Sequence, residues 1–225
     1  TLAFISAFAG ESADLYTYDI RLNKFTRLTD GPSQAFAPSW SPDGELVAHL
    51  GATSFGTGAG FDMDGGWVVR LADKKIFDLY TIDPKSQGDE ILGWRDERWM
   101  LLRSFDEVCG WKNLRLYQPL SLSSIPLHVA SFSEVWLASD GAILLNLQAG
   151  MNEEVCKQVI PPGLYLFLPG ADRSMQLFPI FSGEARWLPQ LSIFLLLNDG
   201  QLYRLASNAK RTPLITPYNS LPEVS

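Results

Sequence analysis

The segment Ala37-Pro-Ser-Trp-Ser-Pro-Asp-Gly-Glu-Leu-Val-Ala-His-Leu50 constrains the fold more than any other part of this chain. Pro42 presets φ at the first central position of a tight turn, and Asp43-Gly44 tolerate the geometry that completes it. Leu46, Val47, Ala48 and Leu50 form an apolar run too short for an ordinary helix, so they read as a strand leaving the turn. Trp40 closes the strand that enters it. The frame returns in diluted form. Leu92-Gly93-Trp94 precedes the apolar stretch 99–102, Glu134-Val135-Trp136 precedes Asp140-Gly141 and 143–145, and Ala185-Arg186-Trp187 precedes 193–197. The four tryptophans are 54, 42 and 51 residues apart. A fixed frame with irregular spacing means constant strands joined by variable loops.

A second series supports this reading. Residues 14–19, 66–71, 113–117, 163–168 and 201–205 each fit the third strand of a four-stranded unit. Residues 24–28, 75–80, 125–129, 175–178 and 212–215 fit the fourth. A period near fifty residues with several strands per unit is the pattern of propeller blades. The expected fold is therefore all-β, a five-bladed β-propeller forming one domain over residues 1–225. Leu221-Pro-Glu-Val-Ser225 resembles an inner strand up to its turn, and Thr1-Leu-Ala-Phe-Ile-Ser6 resembles the strand just after one. The expectation is a split closing blade, with the C-terminal segment supplying its inner strand and sparing two exposed sheet edges. The alternative is a fragment of a six- or seven-bladed ring.

Hydrophobic residues make up 46% of the chain and include seven tryptophans, enough for a large core. The longest unbroken apolar runs, 164–168 and 193–197, suit buried strands and fall far short of the roughly 20 residues of a membrane helix. Eighteen basic against 25 acidic residues give a net charge of −7. A nucleic-acid binder needs a basic face, so neither nucleic acid nor an inserted membrane segment is expected.

The run Asp14-Leu-Tyr-Thr-Tyr-Asp19, then Phe25-Thr-Arg-Leu-Thr-Asp30, then Pro38-Ser-Trp-Ser-Pro-Asp-Gly44 resembles the WD40-like repeat of the TolB propeller family. The match is specific over residues 14–50 and fades afterwards. The third blade has Arg95-Asp96-Glu97-Arg98 in place of the turn motif, the fourth keeps Asp140-Gly141 without the proline, and the fifth has Leu188-Pro189-Gln190. The resemblance implies an all-β propeller used as an interaction platform, periplasmic or extracellular in location.

Candidate chemistry lies between the repeats. Cys109 and Cys156 both fall between the second and third strands of neighbouring blades, connections that emerge on one propeller face. They read either as a disulfide worth roughly 3–4 kcal/mol on chain-entropy grounds or as two free buried thiols. A disulfide would indicate an oxidising compartment. Residues 52–66 read as a long Gly- and Phe-containing surface loop on that face. Its Asp62 and Asp64 lack the further acidic ligands of a calcium loop, and its glycines lack the Lys-Ser/Thr ending of a phosphate loop, so neither metal nor cofactor is expected.

Phe55 and Trp111 read as loop aromatics able to stack on a sugar or bury against a protein. Asp106 and Glu153 belong to acidic pairs in loops of the same face. The residues expected to form a binding site are Phe55, Asp62, Asp64, Asp106, Trp111 and Glu153. His49 and His128 read as structural, Asp43, Asp140 and Asp199 as turn formers, and the repeated Trp40, Trp94, Trp136 and Trp187 as packing between blades. No Gly-x-Ser-x-Gly elbow or paired metal-ligand motif occurs. The functional expectation is a non-enzymatic propeller that binds a protein, small ligand or glycan on the face bearing the second-to-third-strand loops. The alternative is the propeller part of a hydrolase, either carbohydrate-active or of the prolyl-oligopeptidase type.

Overall fold

The computed structural model describes residues 1–55, 61–79, 89–106, 108–127, 129, 132–148, 156, 160–168, 174–206 and 210–214. The chain divides into two compact units, Thr1–His128 and Val129–Ser225. Both are built from antiparallel meanders.

In the first unit, β1 (Leu2–Ser6), β2 (Asp14–Asp19) and β3 (Lys24–Arg27) form a three-stranded sheet. Next comes the sheet of β4 (Gln34–Trp40), β5 (Leu46–Phe55), β6 (Phe61–Arg70) and β7 (Lys75–Asp78). The third meander pairs β8 (Asp89–Trp94), β9 (Met100–Asp106), β10 (Gly110–Gln118) and β11 (Ser123–Pro126) in order. In the second unit, β12 (Phe132–Leu137), β13 (Ile143–Leu147), β14 (Gly163–Phe167) and β15 (Ser174–Phe178) pair in sequence. So do β16 (Glu184–Leu188), β17 (Ile193–Asn198), β18 (Gln201–Ala206) and β19 (Arg211–Pro213). Apart from one short 3-10 turn at Pro189–Leu191, the regular structure among the described residues is all strand. Both predicted strand series appear with bounds shifted by a few residues. Residues 221–225, on which the closing strand was predicted, lie outside the described residues.

Middle strands such as β5, β13 and β14 are apolar and buried on both faces, whereas the outer strands β3, β7 and β11 are largely exposed. On β5, Leu46 and Ala48 join Val68, Trp94, Met100 and Leu102 in one cluster, which packs the second sheet on the third. Val47, between them, joins Leu15, Leu28 and Val69 in a second cluster, which packs the second sheet on the first. In the second unit, Leu144, Leu164 and Leu166 pack with Phe194, Leu196 and Leu205, joining its two sheets. Burial of one such side chain is worth about 1.5–3 kcal/mol. The repeated tryptophans sit where the frame predicts. Trp40 packs on the cluster between the first two sheets and Trp94 lies within the next. Trp136 and Trp187 pack against the core of the second unit. The Trp94 indole N–H also donates to the Ser39 carbonyl of the preceding sheet, at 3.1 Å.

The first sheet differs on its other face. There Phe4, Phe8, Tyr16, Tyr18 and Phe25 form an aromatic cluster with ring centroids 4.5–6.0 Å apart. Phe8 is 67% and Phe25 54% exposed.

Register is fixed at the turns. In Ser41-Pro42-Asp43-Gly44 the buried Ser41 hydroxyl donates to Asp43 Oδ1 (2.5 Å) and accepts the Leu46 N–H (2.9 Å). Asp43 Oδ1 also accepts the Glu45 N–H at 3.0 Å. The Ser41 hydroxyl, then the Glu45 amide, hold the Asp43 carboxyl below its usual range. Gly44 completes the turn at φ +74°, the left-handed region. The third meander keeps this device without the motif, since Asp96 Oδ1 accepts the N–H groups of Arg98 and Trp99, each at 2.9 Å. Asp140 accepts from Ala142 in the same way. Asp43 and Asp140 are thus turn formers, as predicted, and Asp199 sits in its turn at φ +50°.

Ser41→Ala orphans the buried Leu46 N–H and should cost about 1–3 kcal/mol. In urea unfolding the midpoint should fall while the slope stays constant.

Candidate functional site

In two of the second-to-third-strand connections, β5 to β6 and β9 to β10, the described residues are paired strand where loops were predicted. The described parts of residues 52–66 are strand rather than the predicted loop: β5 runs to Phe55 and β6 starts at Phe61. The strand pattern was hidden because Gly and Ala in this stretch carry little β-propensity. Both strands overrun their neighbours. Pairing with β4 ends at Gln34↔Ala52 and pairing with β7 at Trp67↔Asp78, whereas β5 and β6 remain paired as far as Phe55↔Phe61. The extension contains two register slips, one at Asp64 on β6 and one at Thr53 on β5. Such bulges bend a strand and increase its twist.

The third meander repeats the design. Among the described residues, pairing of β8 with β9 reaches Asp89↔Ser104, and β9 and β10 are paired as far as Asp106↔Gly110. Trp111, predicted in a loop, is a β10 residue opposite Phe105 of β9. Their rings meet edge to face at 5.2 Å. The Arg103 guanidinium lies 3.6 Å from the Trp111 ring centroid and is paired with Glu90 at 2.6 Å. Glu90, Arg103 and Trp111 therefore form a ladder across β8, β9 and β10, with half-exposed Phe105 beside it. Spacing alone could not reveal this ladder, because it depends on strand register.

A buried polar network anchors the base of this hairpin. Asp89, 3% exposed, pairs with Arg115 and accepts from the Ser104 hydroxyl at 2.5 Å. Arg115 also donates to Ser104 Oγ at 3.3 Å. A bulge between Lys112 and Arg115, with Asn113 at φ +54°, sets Arg115 in this position.

The predicted site residues are therefore placed as follows. Phe55, Asp62 and Asp64 lie on the extended β5–β6 hairpin, and Asp106 ends β9. Trp111 sits on β10 under Arg103. Glu153 and His128 lie outside the described residues. Cys109 follows the end of β9 and Cys156 lies between β13 and β14; both are disulfide-bonded and neither is free. Among the described residues no group of three or more His, Cys, Asp or Glu side chains is placed to hold a metal ion, and no helix is long and apolar enough to cross a membrane.

His49 lies on β5 and is 4% exposed. Its Nδ1–H donates to the Leu50 carbonyl at 3.2 Å and its ring stacks on Trp67, centroids 5.6 Å apart. Its Nε2 is buried and has no partner. Burial lowers the imidazole pKa, partly offset by the Leu50 hydrogen bond.

No protein-family profile matches the chain. A curated protein, the uncharacterized peptidase YuxL of Bacillus subtilis (strain 168), is 42% identical over 62 residues, 28% of this chain and 9% of that protein. Among solved structures, a prolyl endopeptidase matches with a TM-score of 0.59 at 14% identity, over 96% of this chain and 34% of that one. An oligogalacturonate lyase in complex with manganese matches with a TM-score of 0.56 at 14% identity, over 95% and 61% of the two chains. TolB from Acinetobacter baumannii gives a TM-score of 0.49 at 15% identity, over 96% of this chain and 52% of that one. The chain thus spans about a tenth of its curated relative and a third to three fifths of these structures. The likeness to the endopeptidase and the lyase is one of fold and supports a propeller-type architecture.

Two measurements follow from this site. Reduction should raise the intact mass by about two units, one hydrogen for each sulfur; an unchanged mass would contradict the bridge. The depressed His49 pKa makes the unfolded chain the better proton acceptor. Stability should therefore decline as pH falls below the ordinary histidine value of 6.5. His49→Phe should flatten the pH dependence of the unfolding midpoint between about pH 6.5 and 5.

Proposed function

We propose that this chain is a non-enzymatic binding or scaffold propeller whose site is the end carrying the β5–β6 and β9–β10 hairpins. The observation behind this reading is the overrun of those strands beyond their sheets. Two-stranded extensions leave backbone donors and acceptors beyond the sheet for a partner to meet. Aromatic and acidic residues lie along them: Phe55, Asp62, Asp64, Phe105, Asp106 and Trp111. Trp111, held between Arg103 and Phe105, has the character of a rigid aromatic anchor. A protein, or a small ligand or glycan, is the expected occupant. We further infer five blades closed by the C-terminal strand 221–225, because the β1–β3 sheet has three strands among the described residues where its counterparts have four. The disulfide favours a periplasmic or extracellular location.

The short match to a peptidase favours a second reading, in which the chain is the propeller part of a larger hydrolase. Labelling of the full gene product by a fluorophosphonate probe would support that reading and displace the first.

The first reading is tested by placing a photo-crosslinking amino acid at 62 or 105, and at 73 in the turn at the opposite end of β6, in cells of the source organism. Adducts should form from 62 and 105 and not from 73. Equal adducts from 73, or none from the hairpins, would overturn the assignment.

A further inference from the structure

Four Asp-Gly pairs occur in the chain, at 43–44, 64–65, 140–141 and 199–200. An Asp-Gly pair can rearrange unaided. The glycine amide nitrogen bonds to the aspartate Cγ, the carboxyl hydroxyl leaves as water with the amide proton, and a five-membered imide forms. Water then adds at the α-carbonyl, and the chain comes to run through the former side chain as isoaspartate. The water released is the water taken up, so no oxidant, reductant or other reactant is needed. Glycine favours the attack because no Cβ stands beside its nitrogen. We propose that Asp199 is a site of spontaneous isoaspartate formation, and that the turn hydrogen bonds of Asp43 and Asp140 protect those residues from it. The inference stands on the β17–β18 turn and does not depend on what the hairpins of the first unit bind.

Three observations carry it. The first is the state of the nucleophile. The Gly44 N–H donates to the Ser41 carbonyl at 2.9 Å, and the Gly141 N–H to the Ala138 carbonyl at 3.0 Å. Each bond must break before the nitrogen can turn on the side chain. Gly200 makes no such bond among the described residues. It lies in a two-residue loop closed by the Asn198↔Gln201 pair, with φ +50° at Asp199 and +72° at Gly200. Two positive φ values mark a type I′ turn, in which the closing hydrogen bonds belong to the flanking residues.

The second is the hold on the carboxyl. Asp43 Oδ1 takes the Ser41 hydroxyl and the Glu45 N–H, which also keep the group ionised and so a poor target for a nucleophile. Asp140 Oδ1 accepts the Ala142 N–H at 3.2 Å. Both side chains are thus pinned across the glycine, to the residue beyond it. Asp199 is held only from the residue before, by the Asn198 side-chain amide to Oδ2 at 3.2 Å.

The third is room. Asp199 and Gly200 are exposed, and nothing lies within 4 Å of where a Gly200 side chain would sit, so the imide closes without displacing a neighbour. Gly65 and Gly141 are buried. Gly44 is as open as Gly200, so at that turn the hydrogen bonds decide. Conversion at Asp199 adds one methylene to the backbone of a loop whose length sets the hairpin register.

The test ages the whole chain for several weeks at neutral pH and physiological temperature, native and in guanidinium chloride. Peptides are mapped by electron-transfer dissociation, whose fragments distinguish isoaspartyl from aspartyl linkages. A second readout is methyl transfer to the new α-carboxylate by an isoaspartyl-specific carboxyl methyltransferase. In the native chain isoaspartate should accumulate at 199 at least about tenfold faster than at 43 or 140, the factor expected when two or more hydrogen bonds must break before the ring closes. In the unfolded chain the three rates should converge, because all three aspartates precede glycine. Asp199→Asn keeps a residue that type I′ turns favour and should convert through the same ring, with ammonia leaving in place of water. No isoaspartate at 199, an equal native rate at 43 or 140, an order that persists after unfolding, or an inert Asp199→Asn chain would overturn the assignment.

Discussion

Burial of both sheet faces is the constraint on which this structure depends. Successive β5 residues serve different cores, Leu46 and Ala48 on one side and Val47 on the other. Such a strand needs a neighbouring sheet on each side. Two-sided burial also removes a common source of register. In a half-exposed sheet, slipping by one residue turns the apolar set to water and is strongly disfavoured. Here a slip would exchange one apolar side chain for another. Register must then come from groups with direction. The Ser41 and Asp43 hydrogen bonds at the turn supply it, as does the Trp94 N–H reaching Ser39 of the adjacent sheet.

This division explains what was legible in the sequence. The strands were readable because short apolar runs bounded by Asp-Gly or a lone Trp admit few other interpretations, and β2 falls on residues 14–19 as read. The hairpin extensions were misread as loops. Thr53 to Gly66 is rich in Gly and Asp, which signal turns, yet cross-strand pairing holds the described parts of it as β-structure. Local composition cannot report a pairing made with residues about ten positions away. The same holds for the Glu90–Arg103–Trp111 ladder. Each member is unremarkable in sequence, and only the alignment of β8, β9 and β10 brings them together.

A buried polar network also divides the β9–β10 hairpin into an anchored base and an outer part. The buried Asp89–Arg115–Ser104 network sits at the first described pair of β8 with β9, below the Phe105 and Asp106 end of the hairpin. Changes beyond that point affect few core contacts. Changes below it would disturb a carboxylate 3% exposed, whose charge is tolerable only while its partners remain.

The turn of the third meander separates what a turn is made of from what it does. Arg95-Asp96-Glu97-Arg98 lacks the proline and the glycine of Ser41-Pro42-Asp43-Gly44, yet one carboxylate oxygen gathers two amide groups and the strands meet. What the two turns share is the placement of an acceptor atom rather than a string of residues. A turn of this kind is therefore defined by where one oxygen sits, and chains of quite different spelling can close the same pair of strands.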